Sequence, residues 1–123
     1  MRTSAFVLSA TLLAAGAVIP APAATAKPSA LPVLNVTATS DQKFVPDHLV
    51  LHLGKPQTLR FSSSGGVHGV ASTDLGIPPT TIAPGQPISV VVVPKKAGTY
   101  KLNCTIVCGP NHADMLLTID VKP

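Results

Sequence analysis

From residue 33 onward this 123-residue chain alternates apolar and polar residues with period two, and glycine or proline interrupts the pattern every few positions. Side chains on a strand point to opposite faces in turn, so this alternation builds half-buried strands and cannot line one face of a helix. The alternating runs are VLNVTAT (33–39), HLVLHL (48–53), QTLRFSS (57–63), GTYKLNC (98–104) and MLLTIDV (115–121). In the second run Leu49, Leu51 and Leu53 share one face, and His48, Val50 and His52 share the other. Leu59 and Phe61 point inward with Arg60 outward. Tyr100 and Leu102 oppose Lys101 and Asn103, and Leu117, Ile119 and Val121 oppose Thr118 and Asp120. ISVVVV (88–93) is β-branched at every position but Ser89, the composition of a strand at a sheet centre or buried on both faces. GKP, APGQP, PKKAG and CGPN supply the turns, and no window longer than a turn or two is helical in period. About seven short strands at this spacing predict an all-β, Greek-key β-sandwich.

The N-terminus differs in kind. Met1 and Arg2 give a short positive start, and AFVLSATLLAAGAVI is an uncharged run of fifteen residues. That length suits a secretory signal core and is short for a membrane span. APAATA then offers cleavage after Ala23 or Ala26, so residues 1–26 are expected to be a signal peptide and 27–123 the mature domain. A retained anchor is the alternative. Mature residues 27–123 hold no stretch that could span a membrane, so the protein is expected in the periplasm or another extracytoplasmic space.

The 9 Lys+Arg exceed the 5 Asp+Glu only slightly, and Lys95–Lys96 is the one basic pair. This excess is too thin and scattered for a nucleic-acid surface. No nucleophile–base pair or paired carboxylates stand out, and a catalytic role is not expected.

Both cysteines and the only methionine besides Met1 fall within NCTIVCGPNHADM (103–115), with one histidine. Three residues separate Cys104 from Cys108, three separate Cys108 from His112, and two separate His112 from Met115. The segment joins two expected strands at one end of the sandwich, where Gly109 permits a tight turn and Pro110 stiffens it. Two readings follow. In an oxidising compartment two cysteines pair by default, giving a Cys104–Cys108 staple for a small core that has no tryptophan. Alternatively, thiolate, imidazole and thioether together form a soft donor set, and the thioether favours copper over zinc or iron. A further donor would have to come from elsewhere, and His68, in the glycine-rich SSSGGVHGV, is the candidate. His48 and His52 lie two positions apart on the outer face of one strand and read as surface histidines. Asn111 and Asp114 are candidates to support the loop by hydrogen bonds.

The pattern H…C-x3-C-x3-H-x2-M resembles the binuclear copper (CuA) site of cupredoxin domains, found in subunit II of cytochrome c oxidases and in nitrous-oxide reductases. KFVP (43–46) is similar to the F-x-P near the start of many cupredoxins, and residues 94–121 are similar to their last hairpin. The resemblance implies that Cys104 and Cys108 bridge two coppers, that His68 binds one and His112 the other, and that Met115 and the carbonyl of Ile106 are weak ligands. It further implies an electron carrier whose partner is a cytochrome, a terminal oxidase or a copper chaperone. Oxidase subunits usually carry glutamate where Ile106 stands, and this chain lacks their membrane hairpin, their tryptophan and their acidic docking cluster. A free-standing exported domain is therefore expected. The alternatives are a copper carrier, a single-copper blue protein, or a disulfide-stapled binding module without metal.

Overall fold

The computed structural model describes residues 15–21 and 30–123. Residues 15–21, inside the expected signal segment, form no helix or strand; the rest of residues 1–26 lies outside the described part. Nine strands follow: β1 (Val33–Ala38), β2 (Phe44–Val45), β3 (His48–His52), β4 (Gln57–Ser63), β5 (His68–Ser72), β6 (Ile77–Ile82), β7 (Ile88–Val92), β8 (Gly98–Asn103) and β9 (Leu116–Lys122). The described residues contain one short 3-10 turn, His112–Asp114, and no helix long and apolar enough to cross a membrane.

The strands form three sheets, ordered β2-β1-β4-β7, β3-β9-β8 and β5-β6. Two parallel pairings, β1 with β4 and β3 with β9, join strands that are distant in sequence. The inward residues of all three sheets meet in one core. Val36, Leu59 and Phe61 come from the first, Leu51, Leu117 and Ile119 from the second, and Val70 and Ile82 from the third. The alternation in β3, β4 and β9 is realised in burial: Leu49 and Leu51, Leu59 and Phe61, and Leu117, Ile119 and Val121 are all buried.

Three expectations are corrected. ISVVVV is not a buried central strand. β7 is the edge of its sheet, Val91 is 54% exposed, and Val93 lies past the strand end. Leu53 does not continue the inward face of β3, because the strand ends at His52 and the chain turns outward. The strand count is nine rather than about seven, because β2 and the β5–β6 hairpin add three strands to the six runs named above. Pro78 and Pro79 disguise β6. They sit where the β5–β6 register slips, between the Ser72–Ile77 and Val70–Thr80 pairs. A proline there costs no ladder hydrogen bond.

Candidate metal centre

The two strands flanking the sulfur-rich loop aim its ends. On β8, Leu102 faces the core, so Cys104, two residues on, faces the same way. On β9, Leu117 faces the core, and so does Met115, two residues back. The Cys104 N–H donates to the Met115 carbonyl at 3.1 Å, extending the β8–β9 ladder by one rung and closing the base of the loop. Both side chains are therefore buried by strand periodicity, before any ligand is considered.

The turn beyond them brings Cys108 back. Its Sγ lies 3.5 Å from Cys104 Sγ, 3.7 Å from Met115 Sδ and 3.8 Å from His112 Nδ1. Cys104 Sγ also lies 3.1 Å from the Ile106 carbonyl oxygen. The cysteines are free, so the alternative of a Cys104–Cys108 staple is not realised. Burial pushes the Cys108 thiol above its ordinary value of 9.0, and the hydrogen bond and charge of Cys104 push the same way. A thiol held protonated by burial is what a cation would deprotonate on binding.

His68 enters from β5, on the other side of the site. A ring nitrogen of His68 and the two cysteine sulfurs all lie within 4.8 Å of one another. The approach depends on Gly69. Its carbonyl accepts from the Thr105 N–H at 3.0 Å, and a Cβ there would sit 2.9 Å from Ile106 Cγ1 and closer still to Thr105 Oγ1. Only a residue without a side chain lets β5 come this near the loop.

The imidazole is oriented by its backbone. His68 Nε2 lies 2.8 Å from the Gly65 carbonyl, which can only accept, so in the neutral ring Nε2 carries the proton. Nδ1 is left with its lone pair, fully buried and without any hydrogen-bond partner. An orphaned buried acceptor costs about 1–3 kcal/mol. A histidine with one nitrogen held by a carbonyl and the other bare is the arrangement in which imidazole binds metals. The sulfur pair also fits: at metal–sulfur distances of about 2.3 Å, two thiolates sharing a metal lie at most about 4.6 Å apart. The donor set therefore suits a soft metal.

All six residues singled out in the sequence, His68, Cys104, Ile106, Cys108, His112 and Met115, come together at this end of the fold. His48 does not join them; its Nε2 pairs with Asp120 on the outer face of the β3-β9-β8 sheet. Asn111 and Asp114 support the loop through backbone groups, and Asn111 makes no side-chain cap on the 3-10 turn. Sequence reasoning missed Gly69 as a contact and missed Gln42 altogether. The glycine-rich run around His68 was a usable signal for the first. A lone polar residue in a distant turn gave none for the second.

A sequence profile described as a cupredoxin-like domain matches residues 8–116. The chain belongs to the cupredoxin-like family. Among solved structures, its fold is similar to the periplasmic domain of subunit II of cytochrome oxidase (CoxB) of Bradyrhizobium japonicum. The TM-score is 0.67 at 16% identity, over 77% of this chain and 86% of that one. A chain of a heme-copper terminal oxidase dimer matches at TM-score 0.64 and 19% identity, over 86% and 80%. Auracyanin A, a "blue" copper protein of Chloroflexus aurantiacus, matches at TM-score 0.56 and 15% identity, over 76% of this cupredoxin-like chain and 100% of its own. At these identities the likeness is one of fold.

Proposed function

We propose that this cupredoxin-like chain is an exported electron carrier with a binuclear copper centre. The observation that carries the reading is the meeting of both cysteine sulfurs, 3.5 Å apart, with a buried histidine whose Nδ1 has no partner. Cys104 and Cys108 would hold the metals as shared thiolates, His68 and His112 as terminal imidazoles, and Met115 and the Ile106 carbonyl as weak ligands. Copper supplies one-electron redox chemistry to such a site.

The chain's own contribution is rigidity and exclusion of water. Cys104, Met115 and His68 are buried, and their backbone is held by the β8–β9 ladder and by the Thr105–Gly69 hydrogen bond. Fixed donors change little between oxidation states, which keeps the energy of reorganisation low. A donor set that uses every position leaves no vacancy for a substrate, so transfer of electrons fits better than catalysis. The similarity to a periplasmic oxidase domain supports an extracytoplasmic setting, with residues 1–26 removed on export. It also supports a cytochrome or terminal oxidase as the redox partner.

The test is electron paramagnetic resonance on the oxidised, copper-loaded chain, with metal content measured on the same sample. One spin split by two copper nuclei, at two coppers per chain, is expected, and Cys104→Ser or Cys108→Ser should abolish it. Splitting from a single nucleus at one copper per chain would replace the binuclear reading with a single-copper one.

A further inference from the structure

We propose that Gln42 is a positioning residue of the ligand loop, and that the β1–β2 turn braces both ligand-bearing segments at once. The turn, Thr39–Lys43, is closed by the Thr39 N–H to the Lys43 carbonyl at 2.9 Å. Its last bend is at Gln42, with φ of 56°, and this is the one non-glycine residue of positive φ among the described residues. A hairpin turn of this kind favours glycine at its left-handed position, because a Cβ is strained there. Glutamine has neither glycine's freedom nor the short side chain that makes asparagine tolerant. Backbone strain that persists in a fold points to a job for the side chain that imposes it.

The job is visible in the contacts. Gln42 Oε1 accepts from the Asn111 N–H at 3.1 Å, across 69 residues of sequence. Its Nε2 donates to the Ser40 carbonyl, which fixes which way the amide points. The amide lies flat against Gly109, where a Cβ would come within 2.7–2.9 Å of its carbon, oxygen and nitrogen. Gly109 and Asn111 lie in the turn between Cys108 and His112, so Gln42 holds the backbone that sets the separation of two donors. The same turn reaches the other side of the site. A Cβ on Gly65 would lie 2.9 Å from Ser40 Cβ, and the Ser64 N–H donates to the Ala38 carbonyl at 2.9 Å. Gly65 is the residue whose carbonyl orients His68. One short turn thus touches the support of His68 and the support of Cys108 and His112, although no atom of it is a ligand.

The consequence for metal binding rests on the copper reading above, whereas the clamp itself rests on geometry alone. The variant that separates positioning from stability is Gln42→Gly, since glycine relieves the left-handed strain while removing the clamp. In the full chain without metal, its melting temperature should equal or exceed the parent's. Hydrogen exchange at the Asn111 amide should accelerate roughly ten-fold or more, because its acceptor is gone. In competition with a Cu(I) chelator, Cu(I) affinity should fall roughly ten-fold, the scale on which supporting residues act on metal sites. Gln42→Glu keeps an oxygen facing Asn111 but turns a second acceptor toward the Ser40 carbonyl, so it should fall between the parent and Gln42→Gly in both readouts. Unchanged Asn111 exchange in Gln42→Gly would overturn the clamp. Faster exchange with undiminished Cu(I) affinity would overturn the positioning role. A parent chain that binds no Cu(I) would sink the copper reading, and the exchange data would still decide the clamp.

Discussion

His68 is buried to 1% exposure, yet replacing it with leucine should cost the metal-free chain at most about 2 kcal/mol of stability. The imidazole makes one hydrogen bond, from Nε2 to the Gly65 carbonyl at 2.8 Å, and leaves Nδ1 orphaned. His68→Leu gives up that bond, worth about 1 kcal/mol net, and Gly65 lies in a half-buried loop where water can take its place. The same change removes an unsatisfied buried acceptor that costs about 1–3 kcal/mol, with a side chain of similar size in its place. The two effects oppose each other, and the change of shape costs up to about 1.5 kcal/mol more, so the net change stays within about 2 kcal/mol of zero. A fully partnered buried histidine would behave differently, since breaking both of its bonds is wholly unfavourable. The assay is urea denaturation of parent and variant, without metal and with copper. Copper at a hundred times its dissociation constant should stabilise the parent by about 2.7 kcal/mol, and the variant should lose most of that increment along with the binuclear spectrum. A metal-free variant weaker by 3 kcal/mol or more would refute the reasoning about Nδ1. An unchanged copper increment and spectrum would show that His68 is no ligand.

Two further outcomes follow from other contacts. Gly69→Ala should destabilise the chain by about 1–3 kcal/mol in urea and weaken copper binding, because its Cβ would press on Thr105 and Ile106 and push β5 from the loop. On the outer face of the β3-β9-β8 sheet, hydrogen bonds from Thr99 and then His48 hold the Asp120 carboxyl below its ordinary value of 3.8. A lowered carboxylate contributes stability that is present above that value and is lost as pH falls through the folded one, so acid unfolding should steepen below pH 3.8. Asp120→Asn should flatten that acid limb without altering copper binding, as followed by circular dichroism against pH.

The readings that held were local ones. Strict alternation in β3, β4 and β9 identified their inward residues, because a strand's faces are set by residue parity alone. The same parity buries Cys104 behind Leu102 and Met115 ahead of Leu117, so half of the loop's donors were aimed by sequence. The failures were at strands whose local signal conflicts with their neighbours. The valines of 88–93 state a preference for strand, but whether a strand lies at the centre or the edge depends on what pairs beside it, and among the described residues no strand pairs with the far side of β7. Pro78 and Pro79 argue against a strand, yet the register slip opposite them makes β6 possible.

Sequence by itself determined that the chain is built of strands, which faces they bury, and that all its sulfur but Met1's lies in a single loop beside a histidine. These follow from the two-residue period and from donor chemistry, both properties of neighbours along the chain. Only the tertiary structure decided that β1 pairs with β4 and β3 with β9, that Gly69 lets His68 reach the cysteines, and that Gln42 grips Asn111 from 69 residues away. Such contacts depend on how separate segments are brought together by the shared core, and no pattern within one segment encodes its distance to another.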